Sequence, residues 1–167
     1  VELRVALARG FDTSRDRLLF DVGQQSYVHK ILTGRRDEFR TLRMFGGLAG
    51  FPKPSESVTD PFVAGHASSS VSTALGMARA RTRQHEDYHV VALMGDGAMP
   101  GGLAYEAMND AGESSEQLIV ILNDNGMSIT PNVGGIAQHL ALIRTRPGYY
   151  RIKKAYRAVT AKVPGGK

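Results

Sequence analysis

The chain has no cysteine in 167 residues, which excludes disulfides and thiolate metal sites and fits a reducing compartment. It has no run of about 18 apolar residues, so no membrane-spanning helix is expected. A charged leader with a short apolar stretch is missing too; Val1 already stands inside a helical pattern, as in an interior fragment of a longer chain. Internal repeats and low-complexity tracts are absent. The net charge is +5 and the pI near 9.7, yet no ribbon of interleaved aromatic and basic residues is present. Arg15, Arg17, Lys30, Arg35, Arg36, Arg40 and Arg43 are scattered, and a basic cluster runs from Arg144 to Lys167. They read as solvated faces, so neither nucleic acid nor a membrane is expected as a partner. The length is that of one domain, 1–167, with a real core.

What the chain does have is concentrated between Val90 and Met127. VVALMG and LIVILN are short apolar runs bounded by Gly, Asp or Asn, and read as buried parallel strands. Asp-Gly and Asn-Gly beside apolar runs also signal hairpins. Here Pro100 leads into Leu103, Ala104, Ala107 and Met108 at helical spacing, with Gly112 closing the helix. The unit is therefore strand-helix-strand, and both strand ends lie side by side. They carry Gly95-Asp96-Gly97 and Asn123-Asp124-Asn125. Glycines let backbone N–H groups approach a diphosphate, while Asp96 and Asn125 offer hard oxygen ligands to a cation such as Mg²⁺. A metal-bridged diphosphate outside the carboxyl edge of the sheet is the expected cargo.

Upstream, Leu3, Val5, Ala6 and Leu7 predict a helix that Gly10 ends. Leu18-Leu19-Phe20 predicts a strand whose end leads into Gln24, Gln25, Ser26 and Tyr27. Ile31 to Arg43 reads as a surface helix or loop-helix, with Arg35 and Arg36 as a solvated pair. The two-proline loop through Gly46-Gly47 and Phe51-Pro52-Lys53-Pro54 is long enough to be functional or mobile. Gly65-His66-Ala67 and three serines precede an amphipathic pattern at Val71, Ala74, Leu75 and Ala78. The serines are N-cap candidates, and a helix starting there would aim free N–H groups at an anion. Pro131 to His139 reads as loop, and Arg151 to Lys162 as a basic helix that Pro164 stops.

The GDG and NDN corners, with 29 positions from Asp96 to Asn125, resemble the signature of transketolase-like thiamine diphosphate enzymes. FDVGQQSYVHKILTGRRDEF, GGLAGFPKPSES, GHASSSVSTALGMA, AYEAMNDAG and LIVILNDNGMSI, in that order, are together similar to the 1-deoxy-D-xylulose-5-phosphate synthase family. The resemblance implies an α/β fold, a mostly parallel central sheet with helices on both faces. It implies thiamine diphosphate and Mg²⁺ as cofactors, with Asp96, Asn125 and the Met127 carbonyl on the metal. Gln24, Gly65, His66, Ala67, Gly97, Ala98 and Asn125 would then contact the cofactor. Three positions depart from the family: Gln24 replaces a His, Ala67 a Ser and Gly126 a Glu. Gln keeps hydrogen bonding but cannot carry a proton charge, and a lost hydroxyl contact is worth about 1 kcal/mol.

The family's reaction joins pyruvate to glyceraldehyde 3-phosphate with loss of carbon dioxide, for isoprenoid, thiamine and pyridoxal precursors. A cytoplasmic (or plastid) homodimer is implied. The family's activating glutamate falls after the last residue here and a catalytic histidine just before Val1, so no catalytic residue is expected in these 167 residues, and they are expected to be inactive alone. Two other readings stay open: the amino-terminal subunit of a split transketolase-type enzyme, and a non-catalytic relic.

Overall fold

The computed structural model describes residues 2–124, except the Gln24 side chain, and beyond them Gly134, Gly135, Gln138, His139, Leu142, Arg146, Gly148, Arg151 and Lys154. The chain divides into two compact units, Val1–Ile129 and Thr130–Lys167.

The first unit is built on a parallel sheet of β1 (Arg17–Phe20), β2 (Val90–Gly95) and β3 (Ile119–Asn123), in that order among the described residues. Arg17 pairs with Val90 and Phe20 with Leu93; on the other side Val91 pairs with Ile119 and Gly95 with Asn123. Val90 through Met94 are buried, as a central parallel strand covered on both faces requires. The period of two sorts their side chains between two cores. Val90, Ala92 and Met94 join Leu19 against Val71, Ala74 and Ala78 of α3 (Ser70–Gln84) and Ala104 and Ala107 of α4 (Gly102–Glu113). Val91 and Leu93 join Leu18 and Phe20 against Leu7 of α1 (Glu2–Gly10). Helices thus cover both faces, and the fold is the expected α/β arrangement.

Three elements differ from expectation. In α1 the buried residues are Arg4 and Leu7, while Val5 and Ala6 face solvent, because the face that carries Leu7 packs on Leu18, Phe20, Val91 and Leu93. β3 is not buried: Ile119 and Val120 are about two-fifths exposed, since it forms an edge among the described strands. α4 runs through Gly112 and ends at Glu113, where Ser114 turns extended.

α3 ends on His85, held left-handed at φ 55° while the N–H groups of His85 and Glu86 cap the carbonyls of Thr82 and Arg81. Nearby, Arg81 donates from Nη1 to the carbonyls of Tyr88 and Gln117, tying the helix to the approaches of β2 and β3. Between β1 and α3 the backbone is irregular: a 3-10 turn at Gly23–Ser26, a short α2 (Tyr27–Lys30), a wide π-type turn at Ile31–Arg35 and a 3-10 turn at Arg36–Thr41. Gly34, at φ +94°, breaks the segment from Ile31 to Arg43, which agrees with the loop-helix alternative and not with a continuous surface helix. In the second unit Gly135, Gln138 and His139 lie in helical backbone rather than the expected loop; Arg151 and Lys154 are helical, as expected, and the rest of the expected basic helix lies outside the described residues.

Candidate functional site at the carboxyl edge of the sheet

The register Gly95 to Asn123 brings the tips of β2 and β3 side by side, and the Asp96 N–H donates to the Asn123 carbonyl at 3.3 Å. At β1 the Asp21 N–H donates to the Leu93 carbonyl at 2.8 Å, so the next residues of all three strands emerge at one edge. Asp96 is buried there, Gly97 is exposed and Ala98 is buried. Asn125, Gly126 and Met127 lie outside the described residues, and so does the Gln24 side chain. Among the described residues no group of three or more His, Asp or Glu could hold a metal.

The loops on this edge are fastened by Asp21, which is completely buried. Its carboxylate accepts the Ser68 N–H at 2.8 Å, the Ser70 N–H at 3.3 Å and the Ser70 hydroxyl at 2.6 Å. Ser68 in turn donates its hydroxyl to the Ala98 carbonyl at 2.6 Å. A Cβ on Gly101 would stand 2.1 Å from Ser68 Oγ, so only glycine allows this approach. One chain of hydrogen bonds therefore joins the β1 tip, the start of α3 and the loop after β2. The expected serine cap is corrected: Ser69 occupies the N-cap position with helical backbone and no side-chain cap, and Asp21 takes the first helical N–H instead. Gly65, His66 and Ala67 precede that start and are exposed.

The backbone is strained where the β1 tip turns: Val22 has φ 68° and ψ 153°, a region where only glycine is at ease. The 3-10 turn bearing Gln24 and Gln25 follows directly. Gly23 is packed under the two-proline loop so closely that a Cβ would fall 2.1 Å from the Gly50 carbonyl.

That loop is anchored by buried charge. Arg35, expected to be solvated, is buried and grips Asp60 bidentately at 2.6 and 2.9 Å. Lys30, wholly buried, donates to Glu56 at 2.6 Å and to the Ala49 carbonyl at 2.9 Å, and His29 Nε2 lies 3.3 Å from Asp60. Burial alone would raise the Asp60 carboxyl; hydrogen bonds from His29, Arg35 and the Lys53 N–H, with the Arg35 charge, outweigh it and hold it well below the usual carboxylate range.

The described residues fit a Mg²⁺-bridged diphosphate: a carboxylate at the β2 tip, an exposed glycine beside it, and open space around Gly65 at the start of α3. A family model described as 1-deoxy-D-xylulose-5-phosphate synthase matches residues 1–166. The chain belongs to the 1-deoxy-D-xylulose-5-phosphate synthase family.

Curated 1-deoxy-D-xylulose-5-phosphate synthases resemble it along its whole length. The protein from Symbiobacterium thermophilum is 56% identical over 164 residues, 98% of this chain and 25% of that protein. Those from Natranaerobius thermophilus and Pelotomaculum thermopropionicum are 53% and 54% identical, over 100% and 99% of this chain and 27% and 26% of theirs. The chain thus spans about a quarter of the length of these synthases. Sequence reasoning did not assign Asp21, Ser68 and Gly101 their part in fastening the edge of this synthase-family chain. An aspartate directly after a strand was the available signal for Asp21; Ser68 was hidden in a run of three serines.

Proposed function

We propose that this chain is the diphosphate-binding domain of a 1-deoxy-D-xylulose-5-phosphate synthase, holding thiamine diphosphate through Mg²⁺. The observation that carries the reading is the hydrogen-bonded convergence of three loops, from Asp21 through Ser68 to Ala98, beside the paired tips of β2 and β3. Asp96, Asn125 and the Met127 carbonyl would hold the metal. Gly65, His66, Ala67, Gly97 and Ala98 would line the diphosphate, with Asn125 and Gln24 adjoining. The chemistry such a cofactor supplies is carbanion stabilisation. This chain's own residues would bind, orient and neutralise charge: backbone N–H groups of the loops at Gly65, His66 and Ala67 and at Gly97 and Ala98 would hold the diphosphate, and the Asp96 carboxylate would neutralise the cation.

In the whole protein the substrates would be pyruvate and glyceraldehyde 3-phosphate, the assembly a homodimer and the setting cytoplasmic. The matched relatives are about four times longer, and turnover is assigned to the whole protein, not to these 167 residues. The test is calorimetry with thiamine diphosphate and Mg²⁺. Binding is expected only with both present, raising the melting temperature by ligand linkage, about 2.7 kcal/mol at a hundredfold excess over Kd. Asp96→Asn should abolish this Mg²⁺-dependent binding. Absence of binding by the intact protein would sink the assignment and favour a non-catalytic relic.

A further inference from the structure

Arg4 is a cation in an unexpected place. It lies on α1, is buried to 9% exposure, and has no carboxylate within ion-pairing distance among the described residues. Its guanidinium stacks 4.9 Å over the Phe20 ring, its Nη2 donates to Gln25 Oε1 at 2.7 Å, and its Nη1 is buried without a hydrogen-bond partner among the described residues. Burial pulls its pKa down to about 10. A methionine would cover Phe20 without the cost of desolvating a charge, so packing does not account for arginine here. Among the described residues its one side-chain hydrogen bond is to Gln25.

That contact decides which way an amide points. Arginine only donates, so the oxygen of Gln25 must face it. The amide nitrogen is then on the far side, 3.0 Å from where a Cβ on Gly95 would stand, against the last residue of β2 and next to Asp96. Among the described residues Gln25 Nε2 donates to nothing, and Gln25 is half-buried. With the amide reversed, the same side chain would present an oxygen to an anion, which repels it.

We propose that Arg4 is a positioning residue that fixes the Gln25 amide as a hydrogen-bond donor to an oxygen of the diphosphate ligand at the β2 tip. Gln25 would touch the ligand; Arg4 acts through it and adds positive potential behind it. The inference rests on the diphosphate reading above and extends it to two residues outside that set.

The experiment uses the intact protein with Arg4→Met, Gln25→Leu and the double variant, read by calorimetry with Mg²⁺-thiamine diphosphate and by the Gln25 side-chain amide signals in ¹⁵N spectra without ligand. Arg4→Met should weaken binding about tenfold, the size of one hydrogen bond to a charged group. It should leave the melting temperature equal or higher, and move the Gln25 amide signals. The double variant should bind no worse than Gln25→Leu alone, because the two act as one unit, and Arg4→Lys should restore most of the affinity. A purely structural Arg4 would give the reverse: a lower melting temperature at unchanged Kd. Affinity within twofold of the parent in Arg4→Met, or penalties that multiply in the double variant, would overturn the proposal. If Arg4→Met does not fold, Arg4→Lys and Gln25→Glu make the same comparison, Gln25→Glu being expected to weaken binding more than tenfold. Failure of the parent protein to bind the cofactor is a failure of the diphosphate reading; Gln25 amide signals that ignore Arg4→Met are a failure of the positioning itself.

Discussion

Asp21 is the side chain on which the edge of the sheet depends. Its two oxygens accept from two backbone N–H groups and one hydroxyl in a place with no solvent. Asp21→Ala would leave all three donors buried without an acceptor, and should cost about 3 kcal/mol or more in a denaturant titration. Asp21→Asn keeps the shape but turns one acceptor into a donor facing donors, and should fall close to the alanine variant. The position was readable as a strand end but its task was not, because its partners stand 47 and 49 residues away. Arg4 carried even less signal: an arginine in a helical pattern reads as the wet face, yet it stands one turn before Leu7 on the buried side of α1, over Phe20.

Elements with unbroken apolar runs were the legible ones. β2 and the inward stripes of α3 and α4 follow from periodicity, since burial on both faces or one leaves a clear pattern. The segment from Tyr27 to Asp60 was opaque for the opposite reason. It is held by charges, and Lys30, Arg35, Glu56 and Asp60 look solvated until their partners, 25 and 26 residues apart, are brought together. Its stability should depend on acid. The Asp60 carboxyl is lowered in the folded state from an ordinary 3.8, so its contribution is complete above that value and drains away as pH falls through and below it. Stability measured from about pH 5 downward should drop steeply in the parent, and Asp60→Asn should flatten that slope while lowering stability near neutrality. At the end of α3 the expectation is a gain. His85 holds a left-handed conformation that suits glycine, and His85→Gly should raise the unfolding free energy by about 0.5–1 kcal/mol in the same titration.

In the first unit the parallel sense of β2 and β3 was implied by the strand-helix-strand unit and the helices on both faces by the family resemblance, whereas the place of β2 between β1 and β3 was not read from the sequence. The exposure of β3 was not, because an edge strand and a central one share the same apolar spelling. Of the residues singled out for the site, those at 65–67 and 96–98 lie on loops that one hydrogen-bond chain fastens together, while Asn125 and Met127 fall outside the described residues.

The strained φ/ψ of Val22 has its own outcome. A valine bent that way stores about 1–3 kcal/mol and springs back once its restraints slacken. Those restraints are local and polar, whereas the layers beneath are greasy and broad. In dilute urea the bend should therefore let go first: ligand capture fades while circular dichroism still records an intact scaffold. Coincident loss of both signals would show that the bend and the scaffold melt as one.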